Sequence, residues 1–163
     1  MARIGLISVV LVSAVAGCAG ANDAINEANE AEELWLVTKV SDGDTIWVES
    51  QDGDRQKVRF IGIDTPESGK CGFLEASDFL ASLVFDRRVA LLRGGTDDSD
   101  RYGRLLRYVQ VDGLDTGLAL LEEGLAIARY DSRDGYSPHD REDTYIQADV
   151  ESPNQCPDSA WDR

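Results

Sequence analysis

The residues most able to do chemistry lie in one short run, Arg59-Phe60-Ile61-Gly62-Ile63-Asp64-Thr65-Pro66-Glu67. Arg59 falls inside a strand-like segment with apolar neighbours on both faces. A guanidinium there needs an anion, because burying an unpaired charge is costly. The run ends in two carboxylates, Asp64 and Glu67, whose relation is set by Pro66. Carboxylates held close repel one another and need a cation or a shared proton. Asp44, in Asp42-Gly43-Asp44-Thr45, adds a third carboxylate if its strand lies beside that of Arg59. The set is rich in oxygen and has no His or Cys beside it. That favours Ca²⁺ or Mg²⁺ over zinc. Arg104, in Asp100-Arg101-Tyr102-Gly103-Arg104, adds a second planar cation. One metal and two arginines suit a phosphate group gaining negative charge.

These residues need elements to carry them. Leu34 to Val40 alternates in character and reads as a strand. Asp42-Gly43-Asp44 is a turn, with Gly43 able to take positive φ. Thr45 to Ser50 and Arg55 to Ile63 are two further strands, joined by Asp52-Gly53-Asp54. Apolar spacing predicts a helix from about Phe73 to Phe85. Strands follow at Arg88 to Arg93 and Arg104 to Val111, with a polar loop between them. Asp115 caps a helix through Glu123, Leu125 to Tyr130 packs across the barrel mouth, and Ser137-Pro138 opens a last helix. The order β-β-β-α-β-β-α-α is that of an α+β, mainly β, protein: a five-stranded, partly open Greek-key barrel of the OB type with about three helices.

With these pieces in this order, residues 34 to 150 resemble the thermonuclease, or staphylococcal nuclease-like, family. The resemblance implies that Asp44 and Asp64 bind Ca²⁺ through their carboxylates and Thr65 through its backbone carbonyl. It implies that Glu67 acts as general base or orients the attacking water, and that Arg59 and Arg104 hold the scissile phosphate. Tyr102 and Tyr130 would line the nucleotide pocket. The activity implied is calcium-dependent hydrolysis of DNA and RNA, leaving 3′-phosphate ends, by a monomer. Two departures stand out. The segment between Glu67 and Glu75 is short and keeps only Lys70 as a base, and the chain is acidic.

The acidity is marked: 31 Asp and Glu against 16 Lys and Arg give a net charge of −15. A non-specific nucleic-acid binder normally presents a broad basic face. Here positive charge must be focused at one cleft, and a catalytically weak OB-type module that binds nucleic acid or calcium is the competing reading. Each residue also has a plainer role. Asp42 and Asp44 suit a turn, and Tyr130 suits a core. Arg104 suits a strand edge paired with Asp97, Asp98 or Asp100. Those three acids suit a solvated loop or a second cation site. His139, the one histidine, is expected at the surface.

The N-terminus reads as a targeting segment. Arg3 precedes an uncharged apolar run, Ile4 to Ala16, too short to span a bilayer comfortably. It ends Val15-Ala16-Gly17-Cys18, which resembles a bacterial lipobox, with cleavage before Cys18 and a lipid anchor to the membrane. An ordinary secretory signal is the alternative, and either implies export. The expected organisation is a signal at 1–18, an acidic tether at 19–33 and a folded domain at 34–163. With Cys18 lipidated, Cys71 and Cys156 remain as an even pair outside the cell, which suggests a disulfide; two free thiols are the alternative.

Overall fold

The computed structural model describes residues 33–157 and 160–161. Cys18, the segment 1–18 and all of the 19–33 stretch except Glu33 lie outside the described residues. Strand β1 (Leu34–Asp42) pairs antiparallel with β2 (Thr45–Glu49), which pairs antiparallel with β3 (Arg55–Phe60). On its other edge β1 takes β5 (Arg88–Leu92), which pairs with β6 (Leu105–Val111). A parallel pairing of β3 with β6 closes the sheet into a five-stranded barrel. Closure removes the open edge that the sequence pattern left, and leaves no strand of the five unpaired on one side. Short strands complete the fold: β4 (Ile63–Asp64) pairs with β8 (Ile127–Ala128), and β7 (Leu114–Asp115) with β6.

The barrel is filled by Val37, Ile46, Val48, Val58, Phe60, Val89, Val109 and Val111. Most are β-branched, which suits alternate positions on a pleated surface. Helix α1 (Phe73–Val84) adds Ala76, Leu80 and Val84 to this core. Helix α2 (Thr116–Glu122) adds Leu120 and Leu121, and is capped by the Asp115 carboxylate on the Gly117 and Leu118 amides. Among the described residues no helix is long and apolar enough to cross a membrane.

Three expectations are corrected. The third strand does not run to Ile63: it ends at Phe60, and the chain turns at Ile61-Gly62 before starting β4. Gly62 has φ +75°, and a Cβ on it would fall 2.4 Å from the His139 ring. The last helix, α3 (Glu142–Glu151), does not start at Ser137; Arg141 precedes it without a side-chain cap. His139 is not a surface residue. It is 8% exposed, packed against Gly62, and its Nδ1 is 2.7 Å from the Tyr108 hydroxyl. Burial lowers its pKa, so the ring is held neutral.

Candidate active site

The turn between β1 and β2 carries Asp42 and Asp44. Gly43 does not use positive φ there; it is needed for close approach. A Cβ at Gly43 would fall 2.7 Å from Ala76 Cβ and 2.9 Å from Thr65 Cβ. The bare backbone lets the turn sit against Thr65. Asp44 Oδ2 then accepts from both the Thr65 amide and the Thr65 hydroxyl, each at 3.0 Å. Its Oδ1 accepts from Thr45 Oγ1 at 3.0 Å.

Arg59 reaches the same point from β3. Its Nη2 lies 3.1 Å from Asp44 Oδ2 and 3.2 Å from Asp64 Oδ1. Its Nη1 donates to the carbonyls of Phe60 and Ile63, each at 3.0 Å. The anion required for a buried guanidinium is thus supplied twice. Burial works against its charge, but Asp44 and then Asp64 outweigh burial and raise its pKa. The turn at Ile61-Gly62 brings Asp64 back beside Arg59, which a straight strand could not do.

The carboxylates are crowded. Burial, followed by repulsion from Asp44, pushes Asp42 up to about 6. Burial also pushes Asp64 up to about 6, with Arg59 pulling it down and Asp44 raising it. Three buried or half-buried carboxylates around one polar cleft make an all-oxygen donor set, which fits a hard divalent cation. Among the described residues, however, no three acids or histidines already stand at ligand spacing, and Arg59 sits between Asp44 and Asp64.

The cleft measures about 110 Å³ and is lined by Asp42, Asp44, Thr45, Arg59, Asp64, Thr65, Pro66, Glu67, Arg104 and Tyr130. Glu67 is exposed, one residue beyond the buried Pro66. Arg104 is held by the Asp100 carboxylate, Nε to Oδ2 at 2.6 Å. Asp100 also accepts from the Tyr102 and Arg104 amides. Burial would raise the Asp100 pKa, but those hydrogen bonds outweigh it and lower the value. The pairing foreseen for a strand-edge arginine and the cleft position occur together. Tyr102, 69% exposed, does not itself line the cleft; the Arg104 guanidinium stands 5.5 Å from its ring. Asp98 bonds Arg93 and Arg107 and so pins the loop before Arg104.

Tyr130 is a cleft residue with a strained backbone, φ 61°. A bulky residue is rarely held there outside a site that over-determines it. Pairing of β8 with β4 delivers it: Arg129 N donates to Gly62 O, and the Tyr130 hydroxyl donates to Asp64 Oδ1 at 3.2 Å. Arg129 comes with it, and sequence reasoning misses this residue. Its Nη1 is 3.7 Å from Asp64 Oδ2, and its guanidinium is 5.4 Å from the Tyr130 ring. The available signal is a charge interrupting the apolar run from Leu125 to Tyr130. Cys71 and Cys156 stand outside the cleft and form a disulfide, Cα to Cα 5.8 Å. It ties the segment after Glu67 to the C-terminal tail, where Ile127, Cys156, Ala160 and Trp161 form a small second core.

Comparison with known proteins places this geometry in context. The sequence profile described as staphylococcal nuclease homologue matches residues 57–152. A thermonuclease of Staphylococcus intermedius is 33% identical over 137 residues, 80% of this chain and 77% of that protein. A thermonuclease of Staphylococcus hyicus is 39% identical over 105 residues, 61% of each chain. The endonuclease YncB of Bacillus subtilis is 40% identical over 95 residues, covering 55% of this chain and 44% of that one. The chain therefore spans less than two thirds of the length of the second and third of these relatives.

Proposed function

The chain belongs to the staphylococcal nuclease homologue family, and from that premise we propose that it is an exported, calcium-dependent nuclease that hydrolyses DNA and RNA to 3′-phosphate ends. The observation that carries the reading is the convergence of Asp44, Arg59, Asp64, Glu67 and Arg104 on one cleft. A module that only bound nucleic acid would have no use for two arginines, an exposed carboxylate and a crowded acidic pair in the same 110 Å³.

The roles follow from position. Asp44 and Asp64, with the Thr65 carbonyl, would hold Ca²⁺, and Asp42 lines the same cleft. When bound, the ion would polarise the phosphate and a water. Glu67, exposed and free to rotate, would take a proton from that water. Arg59 and Arg104 would grip the phosphate and neutralise the charge it gains as water adds at phosphorus; the P–O5′ bond then breaks, with O5′ taking a proton from solvent to leave as the 5′-hydroxyl. Asp100 engages Nε of Arg104, which fixes the plane of the fork. Tyr102 and Tyr130 would flank the nucleotide. Export is supported by the N-terminal pattern and by the disulfide, since such bonds persist outside the reducing cytosol. The lipid on Cys18 belongs to the same reading.

The test is the chemistry of the products. Single-stranded DNA and RNA cut by the purified protein should carry 3′-phosphates and 5′-hydroxyls. Products with 5′-phosphates would overturn the assignment. A second reading, a catalytically weak binding protein, is favoured by one observation only: Arg59 already satisfies both carboxylates that would hold the ion.

A further inference from the structure

The chain has three lysines, and their placement is uneven. Lys70 follows Glu67 by one turn, its amide bonded to the Glu67 carbonyl. Lys39 and Lys57 lie on the outer face of the β1–β2–β3 sheet, in one cross-strand row with Trp47 between them: Lys39 is opposite Trp47 on one side and Lys57 opposite Trp47 on the other. Strand alternation turns Trp47 and Lys57 away from Ile46, Val48 and Val58, which fill the core. It puts them on the face that Thr45 and Arg59 share, one two-residue step further along the strands, roughly 7 Å. The row therefore lies next to two residues of the cleft, Thr45 and Arg59, without lining the cleft itself.

Trp47 is 37% exposed, and Lys57 Nζ stands 6.0 Å from its ring centroid. An exposed indole flanked by two cations beside a phosphate site is the arrangement that binds single strands, with bases stacked on the ring and phosphates held by the ammonium groups. The surroundings sharpen the contrast. On a chain of net charge −15 these cations are locally concentrated. Arg55, the next position on this face, is bonded to Glu49 at 2.7 Å and adds no further grip.

Resting on the nuclease reading, we propose that the Lys39–Trp47–Lys57 row is an extended subsite for the single strand that flanks the scissile phosphate. It makes the protein prefer single strands long enough to leave the cleft over dinucleotides that fill it. It also answers how so acidic a protein holds a polyanion: the grip is narrow and laid along one row.

The test compares Trp47→Ala, Trp47→Phe and Lys39→Gln/Lys57→Gln with the wild-type protein on a dinucleotide and on an oligothymidylate of roughly 12 nucleotides, within the usual span of such barrels. Cleavage is measured with calcium, and fluorescence anisotropy of the labelled oligomer with chelator. Trp47→Ala should lower kcat/KM and binding for the longer substrate about tenfold, with the dinucleotide unchanged. Trp47→Phe should restore most of the loss. The double lysine variant should flatten the salt dependence of binding, by about 0.7 in logarithmic slope for each phosphate no longer neutralised. Equal behaviour of wild type and Trp47→Ala on the oligomer, or equal losses on both substrates, would overturn the proposal. A wild-type protein that cleaves neither substrate would sink the nuclease reading instead, and the anisotropy arm would still judge the subsite.

Discussion

Arg59 Nη2 lies 3.2 Å from Asp64 Oδ1 and 3.1 Å from Asp44 Oδ2, so one guanidinium nitrogen bridges the two carboxylates proposed to hold calcium. On the proposed function, cation binding and phosphate binding would be coupled through this nitrogen: a calcium ion on the carboxylates would free Arg59 to meet a phosphate. Arg59→Ala should lower kcat/KM by at least about 10²–10³. Without calcium it should also cost about 3–5 kcal/mol of stability, because the buried acids lose their partner. Calcium should restore part of that loss. Activity assays and thermal melts with and without the ion check both halves; near-normal cleavage by the variant would contradict the role.

Glu67 behaves differently because it is exposed and, among the described residues, is tied to its neighbours only through its backbone. Glu67→Gln should keep the melting temperature within a degree or two of wild type, as surface changes do. Its kcat should fall by about 10²–10⁴, the usual weight of a general base. A large drop in stability would assign Glu67 a structural role.

Asp42 and Asp64 set the pH dependence. Both are pushed up to about 6, chiefly by burial. Between that value and the ordinary carboxylate range the folded protein holds more protons than the unfolded chain. Their contribution to stability therefore improves as pH falls through about 6 and worsens as it rises. Calcium at these carboxylates would displace the same protons, so its affinity should climb as pH rises to about 6, by up to about tenfold per unit for each proton displaced, and level off above it. Calorimetric titration from acid to neutral pH reads this. A calcium affinity flat across that range would contradict the carboxylate site.

Arg129 tunes the same equilibrium. Its charge lowers the Asp64 pKa from 3.7 Å away. Arg129→Ala should move the pH midpoint of calcium binding upward and leave the fold in place. An unmoved midpoint would show that Arg129 acts elsewhere.

The disulfide spans 85 residues. Closing a loop of that length stabilises by about 4.6 kcal/mol on chain entropy, and by typically about 2–4 kcal/mol in practice. Replacing both Cys71 and Cys156 by Ala should lower the denaturation midpoint accordingly. Because Cys71 follows Glu67 closely, activity should fall before unfolding does, which parallel melts and rate measurements would reveal.

The barrel is legible in the sequence because its signals are local. Alternation in β1 to β3, turn glycines and the spacing of α1 each depend on near neighbours. The acids and arginines of the cleft are legible because a charge inside an apolar strand, like Arg59, demands a partner. What the sequence conceals depends on pairing across the fold. Asp64 reaches Arg59 only because the chain turns at Gly62, and that turn is shaped by His139, distant in sequence and polar enough to suit a surface. Arg129 enters through the β4–β8 pairing, which two-residue strands do not announce. Gly43 reads as a residue chosen for its φ, whereas its bare Cα makes room for Thr65 and Ala76.

The central claim is that the acids and arginines of this cleft work together on a phosphodiester only when a calcium ion is present. Cleavage of single-stranded DNA by the purified protein, with added calcium and then with a chelator in excess, tests it most directly. Cleavage that appears with calcium, stops with chelator and is lost in Arg59→Ala is the predicted result. Undiminished cleavage in chelator, or none in calcium from a protein shown to be folded, would contradict it.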